Sequence, residues 1–249
     1  MTLPGPALIE DVGLYCWPGI ETEYDGSWIR RAANGYTKRA NSVQSLDPAD
    51  DSDAAARIEA SVDWFEARGL RPVFRVTPLA GPGILAALDA AGWGAIDHSR
   101  LLSMELGSKS VDPRVELYDP LDARFLGAQQ RLQGYSDETA GKLKAVLRVL
   151  EVNARGVVLH ADDGRAVASA LMAVNRGIVI TGNVVTDASE RRKGYGAAMM
   201  RSGLNWAWST GARVAALNVQ ADNAAGQALY ASLGYAPQYD YVYRIPLPK

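Results

Sequence analysis

The sequence predicts an α/β (α+β) fold made of two similar halves, each a mixed central sheet flanked by helices. The C-terminal half reads as complete and the N-terminal half as degenerate. Three observations carry this. Apolar, β-branched runs of strand length alternate with segments of helical period along the chain. A basic, glycine-containing turn joins a strand at residues 178–185 to a helix. The order helix, strand, helix, Gly-aromatic pair, strand occurs twice, ending once around Gly92-Trp93 and once around Gly234-Tyr235.

In the first half, residues 7–17 read as a helix stopped by Pro18. Residues 27–32 and 36–43 read as two strands, with Asn34-Gly35 between them as a hairpin turn. Residues 54–68 are helical, with Ile58, Val62 and Phe65 on one stripe. A strand at 72–76, a helix at 83–91 and a strand at 98–106 follow, and the repeat predicts that Trp93 ends a helix packed into a core. Asp47, Asp50, Asp51 and Asp53 lack the glycine and closing glutamate of a calcium loop, so helix capping is expected of them. The polar stretch 107–113 places a boundary between units 1–112 and 113–249.

The second half opens with a strand at 114–118 and helices at 121–132 and 136–151, the latter with Ser136 as an N-terminal cap. Strands at 155–161 and 166–174 flank a turn at Asp163-Gly164. The strand at 178–185 leads into Arg191, Arg192, Lys193, Gly194, Tyr195 and Gly196. After them, Met199, Met200, Gly203, Leu204 and Ala207 form a core-facing stripe. A strand at 214–219 passes through Asn223 and Gly226 into a helix carrying Leu229, Tyr230 and Leu233, with Gly234 at its left-handed end.

The basic turn reads as a pyrophosphate cradle. The first turn of a helix presents free N–H groups at its positive end, and glycine lets a ligand approach the backbone. A dinucleotide fingerprint would need a glycine at position 199, where Met199 stands, and a P-loop would need Ser or Thr after Gly-Lys. Arg191-x-x-Gly194-x-Gly196 instead resembles the (Gln/Arg)-x-x-Gly-x-(Gly/Ala) signature of the GCN5-related N-acetyltransferases (GNATs). Asn223, Leu229-Tyr230 and Gly234-Tyr235 resemble that family's second signature, and the likeness covers roughly residues 113–249.

The resemblance implies acetyl-CoA as cofactor and direct attack of a neutral amine on the thioester, without an acyl-enzyme. It further implies pyrophosphate contacts from Arg191, Arg192, Lys193, Gly194, Tyr195, Gly196 and Ala197. Val184, Val185 and Thr186 would lie beside the acetyl group, where a backbone N–H stabilises the oxyanion. Asn218, Asn223 and Gly226 would flank the pantetheine arm, and Tyr230 would be the acid that protonates the departing thiolate. Where relatives often have proline, Ala188 loosens the turn. For a base, sequence proximity offers only Asp187, Glu190 and Glu151. The first half has aspartates where the second has its cradle, and so should not bind coenzyme A. Gly35-Tyr36-Thr37-x-Arg39-Ala40-Asn41-Ser42 is similar to stretches in N-terminal halves of bacterial acetyltransferase-like proteins. Residues 27–43, with Trp28, Arg30, Arg31, Tyr36, Lys38, Arg39, Asn41 and Ser42, read either as an amphipathic hairpin with a solvated face or as a wall that faces the acetyl end of the cofactor and helps hold the acceptor.

A hydrophobic content of 48% and a charged content of 22% are ordinary for a globular chain. The single cysteine, Cys16, excludes an internal disulfide framework. No secretory leader or membrane span is evident, so a cytoplasmic protein is expected. Residues 1–112 carry 10 Lys/Arg against 16 Asp/Glu, and residues 113–249 carry 16 against 12. The basic half suits an anionic cofactor and the acidic half a cationic substrate; neither imbalance argues for nucleic acid. The partner expected is a small-molecule or peptide amine, and the oligomeric state a monomer with an internal pseudo-dimer, a homodimer being the alternative. His98 and His160 lie in different halves, so no metal site is expected. A non-catalytic acyl-CoA sensor and transfer of a longer acyl group are the rival readings. Thiol release with a panel of amines, and competition with succinyl-CoA, separate them.

Overall fold

The computed structural model describes residues 2–248. Its first part runs α1 (Pro6–Cys16), β1 (Glu21–Asp25), β2 (Trp28–Ala32), β3 (Val43–Ser45), α2 (Ala54–Glu66), β4 (Phe74–Val76), α3 (Pro82–Ala90) and β5 (Trp93–Glu105). The chain continues with β6 (Val115–Tyr118), α4 (Ala123–Gln133), α5 (Asp137–Arg148), β7 (Asn153–His160), β8 (Ala166–Asn175) and β9 (Ile178–Thr186). It closes with α6 (Tyr195–Ser209), β10 (Val214–Gln220), α7 (Ala224–Leu233) and β11 (Ala236–Pro246). All these strands form one mixed sheet in the order β1-β2-β3-β4-β11-β5-β10-β9-β8-β7-β6.

That order interleaves the two ends of the chain. β5 pairs antiparallel with β10 on one edge and with β11 on the other. β11 in turn pairs antiparallel with β4. The series β1-β2-β3-α2-β4 and β7-β8-β9-α6-β10 pass through the same pairings: antiparallel, antiparallel, then parallel.

Local chemistry accounts for the helices. Asp122, Ser136 and Asn223 each accept a backbone N–H of the first turn of α4, α5 and α7. α7 ends in a Schellman motif: the Tyr235 N–H reaches the Tyr230 carbonyl at 3.1 Å and the Gly234 N–H reaches Ala231 at 3.0 Å. Gly234 adopts φ 102°, a value that suits glycine. The stripe read on α6 (Met199, Met200, Gly203, Leu204, Ala207) is buried throughout. A Cβ on Gly203 would stand 2.8 Å from Met172 Cε and 3.0 Å from Val157 Cγ2, so glycine sets how closely α6 lies on β7 and β8. β10 alternates as a sheet interior should: Ala215, Leu217 and Val219 pack with α6 and α7, and Val214 and Ala216 with α1.

The expected hairpin at Asn34-Gly35 is not formed. Both residues take positive φ (52° and 73°), as a hairpin turn would require, but the strand that pairs antiparallel with β2 begins only at Val43, and residues 36–42 are a loop. Asn41 captures the segment instead. Its Oδ1 accepts the N–H groups of Ala33 (2.7 Å) and Gly35 (3.0 Å), and its Nδ2 donates to the carbonyls of Tyr36 and Thr37. The loop closes through a short 3-10 turn (Lys38–Ala40) into β3. The true hairpin lies earlier, β1 to β2 across Gly26-Ser27, and the sequence reading missed β1 because its polar run Glu21–Asp25 is mostly exposed.

The aspartates divide among elements rather than capping α2. Asp50 accepts the Ser27 N–H at 2.7 Å in the hairpin turn, and Asp51 accepts the Gly83 N–H at 2.7 Å in the first turn of α3. Asp53 precedes α2 at φ 52° with no side-chain cap bond. Trp93 does not end a helix: it opens β5, buried in the cluster that includes Ile84 and Leu88, and Gly92 is the left-handed residue after α3.

Because β5 lies between β10 and β11, neither part should fold alone. Separate expression of 1–112 and 113–249 is expected to give unfolded or aggregated chains by circular dichroism, and co-expression a soluble complex. A cooperative thermal transition in isolated 113–249 would contradict this.

Candidate active site

β9 and β10 run parallel from Ile178↔Val214 to Thr181↔Leu217 and then part. β10 keeps its partner β5 as far as Gln220↔Ser99. β9 keeps β8 but changes register: Gly182 faces Leu171 and Val185 faces Ser169, so Asn183 and Val184 together stand opposite Ala170. This bulge puts Asn183 at φ 52°. The fully buried Gln129 of α4 holds it, its Nε2 donating to the Asn183 carbonyl and to Ser169 Oγ, each at 3.0 Å.

The parting opens a wedge-shaped cavity of about 270 Å³, lined by Thr181, Gly182, Asn183, Val184, Asn218 and Tyr230 among others. A neighbouring cavity of about 370 Å³ shares Arg39, Asn218, Val219 and Gln220 with it and reaches Thr37, Lys38 and Tyr241. Tyr230 is 7% exposed and its ring packs edge-on against Tyr235 at 6.0 Å. Its hydroxyl has no hydrogen-bond partner among the described residues, and burial pushes the phenol up to about 12. Asn218 Oδ1 accepts from Arg75 Nη2 at 3.2 Å. Asn223 also lines the wedge while capping α7 through the Gly226 N–H at 2.9 Å. A Cβ on Gly226 would meet Asn223 Nδ2 at 2.8 Å, so this glycine serves the cap.

The basic turn closes the end of β9. Val185 and Thr186 complete the strand, and Arg192 (φ 65°) and Gly194 (φ 81°) turn the chain into α6. The first α6 hydrogen bond runs from the Ala198 N–H to the Gly194 carbonyl, so the N–H groups just before it, Tyr195, Gly196 and Ala197 included, lack intrahelical acceptors. Lys193 pairs with Glu190 at 2.7 Å, and Arg165 shares that carboxylate at 3.3 Å. Arg191 and Arg192 are exposed and make no ion pair among the described residues. A Cβ on Gly194 would meet nothing within 4 Å, whereas one on Gly196 would lie 3.0 Å from Thr186 Oγ1. Open space, free helix N–H groups and two cations without an ion pair among the described residues give this turn the chemistry that would suit an anion.

The carboxylates near the turn in sequence do not enter the wedge. Asp187 is bound by Arg131 at 3.3 Å and by Ser189, which hold it below the usual carboxylate range. Glu190 is held low chiefly by Lys193. Glu151 lines a separate groove beside Tyr15 and Pro18. His98 pairs with Asp240 at 2.8 Å on an exposed edge, and His160 meets the Gly164 carbonyl. Among the described residues no group of three or more His, Cys, Asp or Glu is arranged to hold a metal, and no helix is long and apolar enough to cross a membrane. Sequence reasoning missed Gln129, the bulge at Asn183, and Arg75. It noted Arg31 and Arg39 only within a polar stretch.

Over nearly the whole chain this fold is similar to that of a GCN5-related N-acetyltransferase from Kribbella flavida (TM-score 0.74, 21% identity, 99% of this chain and 98% of that one). A family model described as "Probable histone acetyltransferase Rv0428c C-terminal" matches residues 8–244. The chain belongs to this acetyltransferase family, within the GNATs. An uncharacterized N-acetyltransferase of Bacillus subtilis (strain 168), YobR, is 26% identical to this GNAT chain over 244 residues, 95% of it and 97% of YobR. A tandem GNAT protein from the clavulanic acid biosynthesis pathway has a similar fold (TM-score 0.68, 13% identity, 97% and 88% coverage).

Tyr230 gives the acetyltransferase a measurable alkaline limit. The folded state holds this proton more tightly than the unfolded chain, whose phenol titrates near 10. The stabilisation is therefore complete below pH 10 and is lost as pH rises toward about 12. The thermal midpoint should fall above pH 10, and less steeply in Tyr230→Phe; equal slopes would mean that the phenol is not desolvated.

Proposed function

We propose that this GNAT chain moves an acetyl group from acetyl-CoA to an amine acceptor by direct attack, within the wedge between β9 and β10. The observation that carries the reading is the cavity between the parted strands, lined by Tyr230, whose phenol has no partner among the described residues, with the free N–H groups of the start of α6 following the same strand β9. Bound acetyl-CoA supplies an activated acetyl thioester. The N–H groups of Gly194, Tyr195, Gly196 and Ala197 would hold its pyrophosphate, Arg191 and Arg192 would neutralise it, and Asn218 and Asn223 would flank its arm. All these residues fit an extended anionic cofactor.

The remaining roles follow from the chain's own groups. Backbone N–H groups around the bulge, at Val184 to Thr186, orient the acyl carbonyl and favour negative charge on its oxygen. Tyr230 keeps its proton at every physiological pH and would pass it to the departing thiolate, the proton lost by the attacking amine restoring the phenol. No carboxylate or histidine among the described residues lines the wedge, so the acceptor enters as a neutral amine. We further read the chain as two related units, 1–112 and 113–249, of which only the second holds cofactor.

Calorimetry is expected to give one acetyl-CoA per chain. Gly194→Val and Gly196→Val should each weaken that binding by about tenfold or more, since either places a branched side chain at the cradle. Asp51→Ala should leave the affinity alone while losing a charge-assisted bond to α3, about 1–3 kcal/mol of stability. Two equivalents at saturation would contradict a first unit that holds no cofactor, and unchanged affinity in both glycine variants would remove the cradle reading.

For Tyr230→Phe, kcat should fall about 10- to 100-fold, at the low end of acid catalysis because a thiolate leaves readily. The KM for acetyl-CoA should change little. Wild-type kcat in this variant, with chemistry shown to be rate-limiting, would reduce Tyr230 to packing.

A further inference from the structure

Among the described residues, one guanidinium at the wedge meets no carboxylate. Arg39 sits in the loop that Asn41 ties together, two residues after Thr37, whose φ of 56° and ψ of 139° lie where a branched residue is strained by about 1–3 kcal/mol. Trp17 Nε1 donates to Thr37 Oγ1 at 2.8 Å and holds that geometry. Arg39 is thereby carried over the Trp17 ring, 5.4 Å from its centroid. Its Nη2 lies 3.5 Å from where a Cβ on Gly182 would be, at the point where β9 leaves β10. Arg39 lines both cavities, and so does Asn218.

Behind Arg39 the charges do not balance. Arg31 and Arg75 are each 2% exposed. Arg75 pairs with Glu10, whose other oxygen accepts from the Tyr239 hydroxyl at 2.6 Å. Arg31 has only the carbonyls of Trp17 and Arg39. Burial, with Arg75 and Arg39 nearby, pushes its guanidinium down to about 9. Among the described residues the Nε atoms of Arg31, Arg39 and Arg75 are buried without a partner. Three guanidiniums thus share one carboxylate, and Lys38 is already neutralised by Asp97 at 2.6 Å. Leaving buried positive charge uncompensated is strongly unfavourable, and an anion from solution removes the penalty.

We propose that the acceptor amine carries a compact oxyanion, a carboxylate or a phosphate, and that Arg39 binds it in the wedge beside Asn218. This rests on the wedge being the transfer site. It reverses the expectation, drawn from the acidic composition of residues 1–112, of a cationic acceptor. Carboxylates of that part are engaged at the β1–β2 end, where Glu21, Glu23, Asp25 and Asp50 bind Arg68, Arg30 and Arg57. A polyamine entering the wedge would meet arginine and no free carboxylate.

The test is a binding screen on the full chain by thermal shift and calorimetry, without cofactor and with coenzyme A. The probes are the twenty amino acids against their carboxamides, and phosphoethanolamine against ethanolamine. At least one anionic member should bind about tenfold or more tighter than its neutral partner. Arg39→Gln should abolish that preference, Arg39→Lys should retain part of it, and neither should alter acetyl-CoA affinity. The amino acid arm or the phosphate arm names the source of the oxyanion. Equal binding of charged and neutral members, no binding in either series, a preference surviving in Arg39→Gln, or a loss of acetyl-CoA affinity in that variant would each overturn the proposal. If wild type shows the Arg39-dependent preference yet fails to bind acetyl-CoA, the transfer reading falls and the anion site stands.

Discussion

The structure depends on the pairing of β5 with β11. Each strand lies between two strands from the opposite end of the chain, and together they turn what would be two sheets into one. The wedge follows from this. Beyond Leu217, β10 has left β9, and a strand that loses one neighbour in a protein interior normally leaves backbone groups orphaned. Here Asn218, Val219 and Gln220 still pair with Leu101, Arg100 and Ser99 of β5, so β10 stays straight while β9 bends away on its bulge. The same interleaving brings the loop at residues 36–42 from one end of the chain to the mouth of a cavity built by the other.

The two positive regions differ in how water screens them. Arg191 and Arg192 are exposed beside a helix start, where salt weakens their pull but a long flexible anion can be gathered from solution. Arg31, Arg39 and Arg75 stand partly or wholly out of water, where attraction is stronger and the absence of a partner is felt more. The first arrangement suits holding the handle of a cofactor. The second suits choosing between acceptors, because a buried charge discriminates against a neutral group far more than an exposed one.

Much of this was legible in the sequence wherever the signal was local. The stripe on α6, the Ser136 cap, the left-handed Gly234 and the strand–turn–helix around Gly194 each rest on a few neighbouring residues, and each is found. Asn34-Gly35 shows the limit of such signals. The dipeptide adopts the dihedrals its chemistry favours, yet Asn41, a few residues further on, offers its backbone better partners than a strand would. The strand β1 was unreadable because an edge strand facing water carries no alternation. The pin of Gln129 on the bulge joins residues more than fifty positions apart, and Arg31, Arg39 and Arg75 meet only through the sheet order. Their convergence is a property of topology, and pattern along the chain does not encode it.

The position of β11 also governs when the protein can fold. Its strand, Ala236–Pro246, follows β4 and β5 at a long distance along the chain, yet it belongs between them in the middle of the sheet. While the chain is still being synthesised, the edges of β4 and β5 that await it stay open, with Phe74, Leu101 and Leu102 lacking their final cover. Open edges of this kind invite edge-to-edge association, and low-temperature expression, which slows it, should raise the soluble yield.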